Sequence, residues 1–206
     1  MFDTKEKKER SLGTKLFLKA NRCNSPKCVT VRRPQRPGVH GKARRRALSE
    51  MGQQLQEKQK FRFTYGIREA QMRKIFSAAV KNPGVTGEMI VNLLERRLDN
   101  VVFRLGLAPS RSVARQLTGH GHILVNNRKV TIPSYRVKVN DIISIRPQSK
   151  DHPVFNDLAA SIKKYDPPVW LNLDKEKIEG RVISLPRDSD ISFDVNKVVD
   201  YYSKIQ

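Results

Sequence analysis

Apolar residues recur at helical spacing through the middle of the chain. Met72, Ile75, Phe76, Ala79 and Val80 fall at i, i+3, i+4, i+7 and i+8, which predicts a helix over 68–81, ended by Asn82-Pro83-Gly84. Ser49 reads as the N-cap of an earlier helix that runs to Tyr65-Gly66. Ile90, Leu93, Leu94, Leu98, Val101 and Leu105 form a third stripe, closing at Gly106. Ser110 caps a fourth helix, stopped by Gly119-His120-Gly121. The period then shortens. His122 to Val125 reads as a strand, Asn126-Asn127 as a two-residue turn, and Arg128 to Val130 as the return. Tyr135 to Val139 and Ile142 to Ile145 are expected as further strands around Asn140-Asp141. After Pro153 helix is expected, then a strand-like alternation at 169–173 and a short helix from Asn196 to Lys204. The class is α+β.

Residues 1–47 carry no such pattern. The stretch from Arg32 to Lys42 is rich in Pro, Gly and cations, which predicts an irregular, extended basic arm that becomes ordered on a polyanion. The chain has 41 Lys+Arg against 20 Asp+Glu, a net charge of +21 over 206 residues. The surplus is uneven: +12 in 1–60, +11 in 61–150 and −2 in 151–206. From Arg10 to Ser49 there are twelve cations and no acid. Such a surplus repels itself unless a polyanion covers it, which points to nucleic acid. A membrane is not expected: no run of about 18 apolar residues exists, and no basic helix here has a wide apolar face. The N-terminus has no apolar stretch behind its charges, so no secretory signal is expected, and two cysteines give no disulfide framework. A cytoplasmic setting is the expectation.

Catalytic motifs are missing from the sequence. It has no phosphate-cradling Gly-Lys loop and no nucleophile beside a base. Cys23 and Cys28, with His40 downstream, supply half a zinc ligand set. His120 and His122 lack a third ligand nearby and read better as RNA contacts or as local hydrogen-bonding groups. No metal, cofactor or small-molecule substrate is expected, and no enzymatic activity.

The stretch 97–145 is the most informative. It runs helix, helix, hairpin and strand, and Arg111 and Arg115 lie one turn apart on one face, off the stripe of Val113, Ala114 and Leu117. That placement predicts cations that bind RNA and matter little to folding. The stretch resembles the S-four RNA-binding domain. Gly38-Val39-His40-Gly41, Leu55 to Lys60, Tyr65-Gly66-Ile67, Thr86-Gly87-Glu88, Leu93-Leu94-Glu95, Arg97 to Val102, Ala114 to Leu117 and Trp170-Leu171 are similar, in order and spacing, to the bacterial ribosomal protein S-four family.

The resemblance implies a mostly helical domain assembled from 48–96 and 152–206, with the small α+β domain, 97–151, inserted in it and the arm, 1–47, in front. It also implies a cytoplasmic, ribosomal chain that binds the five-prime domain of small-subunit ribosomal RNA, nucleates assembly, contributes to translational accuracy and touches ribosomal protein S-five. The expected RNA contacts are Arg32, Arg33, Arg36, His40, Lys42, Arg44, Arg45 and Arg46 in the arm. Lys58, Arg62, Arg68, Arg73, Arg97 and Arg104 follow on the helices. Arg111, Arg115, Gln116, His120, His122, Asn126, Arg128, Lys129, Tyr135 and Arg136 complete the set. Asp188, Asp190 and Asp194, in the acidic segment, are assigned to a protein-facing surface. Two departures stand out. Cysteine-bearing members carry a further CxxC upstream, where this chain has Glu6 and Glu9, so a four-cysteine zinc site cannot form. Asn127 also stands where the family places Gly. The alternatives are a non-ribosomal S-four-domain RNA-binding factor and an S-four-domain RNA-modifying or aminoacylating enzyme. The latter needs a catalytic domain for which 1–90 and 151–206 offer no motif.

Overall fold

A computed structural model describes residues 4–43, 47–149, 152–156, 158–186 and 193–205. The chain divides into two compact units, Met1–Gly87 with Ile191–Gln206, and Glu88–Asp190.

The first unit is helical. Its central helices are α4 (Glu50–Thr64) and α5 (Glu69–Val80). Ser49 caps α4 by accepting from the Gly52 amide. The predicted stripe of α5 is its core face: Met72, Ile75, Phe76 and Ala79 are buried, whereas Val80 is exposed. The α10 helix (Val195–Ser203) packs on α4 and α5, where the Phe76 and Tyr202 rings lie 5.1 Å apart. The arm is not irregular. It forms α1 (Lys5–Leu12), α2 (Ala20–Cys23) and α3 (Val29–Arg32), and Gln56 Nε2 of α4 donates to the Leu12 carbonyl, 2.8 Å. The cause is tertiary. Glu9, 1% exposed, turns its carboxylate inward, and Oε1 accepts from the amides of Leu16 (3.1 Å) and Leu18 (3.2 Å). Arg10 donates to the carbonyls of Arg33, Gln35 and Arg36 and fastens the Pro-rich stretch. Order here comes from two side chains that periodicity does not register.

The second unit holds α6 (Thr86–Glu95, whose first two residues precede the division), α7 (Leu98–Arg104), α8 (Arg111–Gly119) and α9 (Leu158–Lys163). It also holds an antiparallel sheet in the order β2-β1-β3-β5-β4. The strands are β1 (Ile123–Val125), β2 (Arg128–Lys129), β3 (Ile142–Ile145), β4 (Leu171–Asp174) and β5 (Glu179–Val182). The β1–β2 turn has φ of 50° at Asn126 and 61° at Asn127, so Asn127 adopts the left-handed conformation without glycine. Asn126 fixes it: Nδ2 donates to Asp141 (2.8 Å) and Oδ1 accepts from the Ile142 amide (2.9 Å). One core joins Leu98 and Val101 of α7, Leu105 at its C-cap, Ala114 and Leu117 of α8, and Ile123, Ile143, Trp170 and Val182 around the sheet.

Three expectations change. The stripe from Ile90 to Leu105 is two helices, because Arg97 is extended (φ −68°, ψ 136°) and stands at the N-cap position of α7. Tyr135 to Val139 is not a strand: a single bridge pairs Arg97 with Arg136. The carbonyls of Tyr135 and of Pro133 just before it do other work, accepting from the amides of Leu98 and Asp99 and so filling the open start of α7. Third, residues expected to rejoin the helical domain after 151 lie in the second unit, where β5 pairs with β3 and β4 closes the sheet. The compact units divide after Gly87 and after Asp190, and 1–47 is grouped with the first unit. Gly180 shows how closely β5 lies on the end of α7: a Cβ there would overlap the Leu105 side chain.

Candidate nucleic-acid interface

In the second unit, α8 carries the central cations. Ser110 accepts from the Val113 amide and sets the helix start. Ala114 and Leu117 then face the core, and Arg111 and Arg115 are half-buried beside α7. Both are held. Arg115 Nε and Nη2 donate to Asp99 Oδ2 (2.9 and 2.6 Å), and Arg111 Nε donates to Asn100 Oδ1 (2.7 Å). The Arg111 guanidinium also lies 4.5 Å over the Phe103 ring. The pair is thus tied to α7 by side-chain bonds that the sequence pattern did not show.

Asp99, 2% exposed, also takes both ends of Arg97, at 3.1 and 2.9 Å. Glu95, 1% exposed, takes a two-point contact from Arg104 at 3.0 Å each and a hydrogen bond from Asn100 Nδ2 (2.8 Å). Arg97 and Arg104, expected on the outer face, are thus internal ion-pair partners. So is Lys58 in the first unit, 4% exposed, with Nζ 3.1 Å from Glu69 and 3.4 Å from Tyr201 Oη. Arg62, half-buried, shares Glu69 at 3.4 Å. Such cations give their charge to a local carboxylate before any phosphate arrives.

Gln116, His120, Asn126, Arg128, Lys129 and Arg136 are exposed on the second unit, and Tyr135 is half-buried. Asn126 is committed to the hairpin lock described above. His122 Nδ1 lies 2.9 Å from Ser149 Oγ. Burial, followed by the neighbouring His152 and His120 and the cations Arg146 and Lys129, pushes its pKa below the usual histidine value. It therefore presents a neutral imidazole at pH 7.

In the first unit, Arg32, Arg33, Arg36, His40, Lys42, Arg68 and Arg73 are exposed. Arg44, Arg45, Arg46, Asp188 and Asp190 lie outside the described residues. Asp194 is exposed, but its Oδ1 caps α10 by accepting from Asn196 (3.1 Å) and Lys197 (3.3 Å). A recess of about 550 Å³ opens among Lys5, Lys7, Arg10, Lys19, Arg22, Arg32 and Arg33, with Glu6 among its lining. Lys5, Lys7, Arg10, Lys19 and Arg22 were not expected at a site. The acid-free run contained three of them, but only the folding of α1 back toward α3 brings them together.

Glu6 pairs with Lys19 and Arg22, and Glu9 is bound to backbone amides, with Cys23 Sγ 3.9 Å from each of its oxygens. Burial first, and Glu9 next to it, push the Cys23 thiol above its ordinary value, which disfavours the thiolate a metal requires. Among the described residues no group of three His, Cys, Asp or Glu could hold a metal ion, and no helix is long and apolar enough to cross a membrane.

Two family profiles match the chain: the ribosomal protein S4/S9 N-terminal domain over residues 2–95 and the S4 domain over 96–143. Similar proteins include the small ribosomal subunit protein uS4 of Pelotomaculum thermopropionicum, 48% identical over 95% of this chain and 94% of the relative. That of Dehalococcoides mccartyi is 50% identical, and that of Halothermothrix orenii 48%, with the same coverage of both chains.

Proposed function

Because this chain belongs to the uS4 family of small ribosomal subunit proteins, we propose that it is a structural, non-enzymatic constituent of the small subunit that binds ribosomal RNA. The arrangement that carries this reading is a cationic helix, α8, beside a polar hairpin, with a basic recess in the first unit. The RNA is the five-prime domain of the small-subunit molecule, engaged in the cytoplasm early in assembly. Guanidinium and ammonium groups on fixed backbone recognise phosphate placement and RNA shape more than base identity. The match to relatives runs through the arm and both units, which leaves a factor built on the small domain alone without support. The acidic segment is assigned to the protein side: its net charge of −2 repels phosphate, and a basic neighbour such as ribosomal protein S-five suits it. Through that contact the chain would influence decoding accuracy. Asp194 can serve there while capping α10, since it remains exposed.

Binding to a five-prime-domain transcript is expected to weaken steeply across a salt titration, because each phosphate contact releases condensed counterions. Duplex DNA should bind more weakly throughout. Equal affinity for both would remove the RNA reading.

The arm is proposed to fold without zinc, with the Glu9 carboxylate as its organising centre. Protein purified without chelator should carry no stoichiometric zinc on elemental analysis, and Cys23→Ser should bind the transcript as the parent does. Zinc at one per chain that disappears in Cys23→Ser would refute this.

A further inference from the structure

Resting on the reading of α8 as an RNA contact, we propose that Asp99 and Asn100 are positioning residues, which hold the Arg115 and Arg111 guanidiniums in the geometry that receives phosphate. A protein that binds a polyanion gains nothing electrostatically from an acid under its contact helix. Yet Asp99 lies buried against that helix, and a single oxygen, Oδ2, accepts both Nε and Nη2 of Arg115. Its other oxygen is taken by Arg97 Nε, so the carboxylate is fixed from the α7 side before α8 reaches it. Arg115 nevertheless keeps 35% of its side chain exposed. The guanidinium is thus held by Asp99 while part of the side chain stays at the surface.

Asn100 serves Arg111 in the same way and carries no charge. Its Nδ2 donates to the Glu95 carbonyl and carboxylate, 3.0 and 2.8 Å, which orients the amide so that Oδ1 faces Arg111 Nε. The Phe103 ring lies 4.5 Å from the Arg111 guanidinium carbon and limits where the group can move. Both guanidiniums are therefore held in place, one by a buried carboxylate and one by a buried amide and a ring. An arginine free to rotate loses rotamer entropy each time it engages phosphate, and a clamped one has already lost it on folding. Planar two-point contact with phosphate also depends on the direction of the guanidinium plane, which a clamp fixes and a flexible chain does not.

The sign of the effect separates this proposal from simple electrostatics. Asp99→Asn removes a negative charge next to the RNA face, so charge alone makes binding tighter. Positioning makes it weaker, by about three- to tenfold for one rotamer-rich side chain released. The experiment measures affinity for the five-prime-domain transcript at fixed salt for the parent, Asp99→Asn, Arg115→Ala and the double variant, with the folded fraction checked by circular dichroism. Weaker binding in Asp99→Asn, with no further loss when it is added to Arg115→Ala, is the expected result. A merely structural Asp99 would weaken binding alike in both backgrounds, and this result overturns the proposal. So does binding as tight as the parent's, or tighter, by folded Asp99→Asn. If Asp99→Asn does not fold, because Arg97 is left buried without its partner, the cycle of Asn100→Ser with Arg111→Ala reads the same question with no charge change at position 100. Unaltered affinity after Arg111→Ala together with Arg115→Ala would instead remove the reading of α8 itself, and the proposal with it.

Discussion

Glu95→Ala will destabilise the second unit by about 3–5 kcal/mol, the loss typical when one partner of a buried ion pair is removed. The size follows from what remains. Arg104 is 12% exposed on its side chain and gives both Nε and Nη2 to this one carboxylate, while Asn100 Nδ2 loses an acceptor. A surface pair would cost well under 1 kcal/mol, because water replaces the missing partner. Here α7 and the core beneath it leave the guanidinium little access to water. Urea denaturation of the parent and the variant measures the difference, and Glu95→Gln, which keeps one acceptor, should lose less. A loss below about 1 kcal/mol would mean that Arg104 swings into solvent at little cost.

The matching experiment in the first unit is Glu69→Ala, expected to cost about 3 kcal/mol by the same reasoning. Lys58 is 5% exposed on its side chain and has Glu69 Oε1 at 3.1 Å, and Tyr202 Oη donates to the same oxygen at 2.8 Å. This site also predicts a pH response. Burial alone would raise the Glu69 pKa. Hydrogen bonds from Tyr202 and Lys58 and the charges of Lys58 and Arg62 outweigh it, and the net shift is below the ordinary 4.5. A carboxylate depressed in the folded state adds stability above its unfolded pKa and loses it as pH falls through the folded value. The parent should therefore lose stability from about pH 4.5 downward, and Glu69→Gln should lose less over the same range. Denaturation curves at pH 7, 4.5 and 3 test this, and identical pH slopes for both proteins would refute the assignment.

The contrast between these sites and α5 explains what could be read from the sequence. Met72, Ile75, Phe76 and Ala79 announce a buried face because burial of apolar groups follows helical period. Ser49 and Ser110 announce helix starts, and Asn126-Asn127 a turn, because each satisfies a local backbone need. Arg97, Arg104 and Lys58 read as surface cations for the same reason: period assigns charge to the outside. Their partners, Asp99, Glu95 and Glu69, lie two, nine and eleven residues away, and no helical face joins Lys58 to Glu69 across Tyr65-Gly66. The helices α1 to α3 were missed because a buried carboxylate, not an apolar stripe, organises their surroundings. Residues 179–182 gave no signal of β5, since Glu-Gly-Arg-Val becomes a strand only between β3 and β4. The α+β class, the hairpin and the position of α8 were legible. The division between the units was not, because it depends on pairing across more than thirty residues, as between Ile143 and Gly180.

The packing of α10 on α4 also fixes a timetable. A ribosome making this chain delivers α4 and α5 early, but the part of their surface that α10 covers stays open until Val195–Ser203 has been made. The sheet of the other unit is complete once Val182 has been added, some twenty residues sooner. At about 5–20 residues per second, that interval is roughly one to four seconds. The unit whose synthesis starts second therefore finishes folding first, and α4 and α5 wait with a contact of high sequence separation still to make. During that wait Phe76 lacks the Tyr202 ring that packs on it in the folded unit, and apolar surface left open in this way is prone to misassociation.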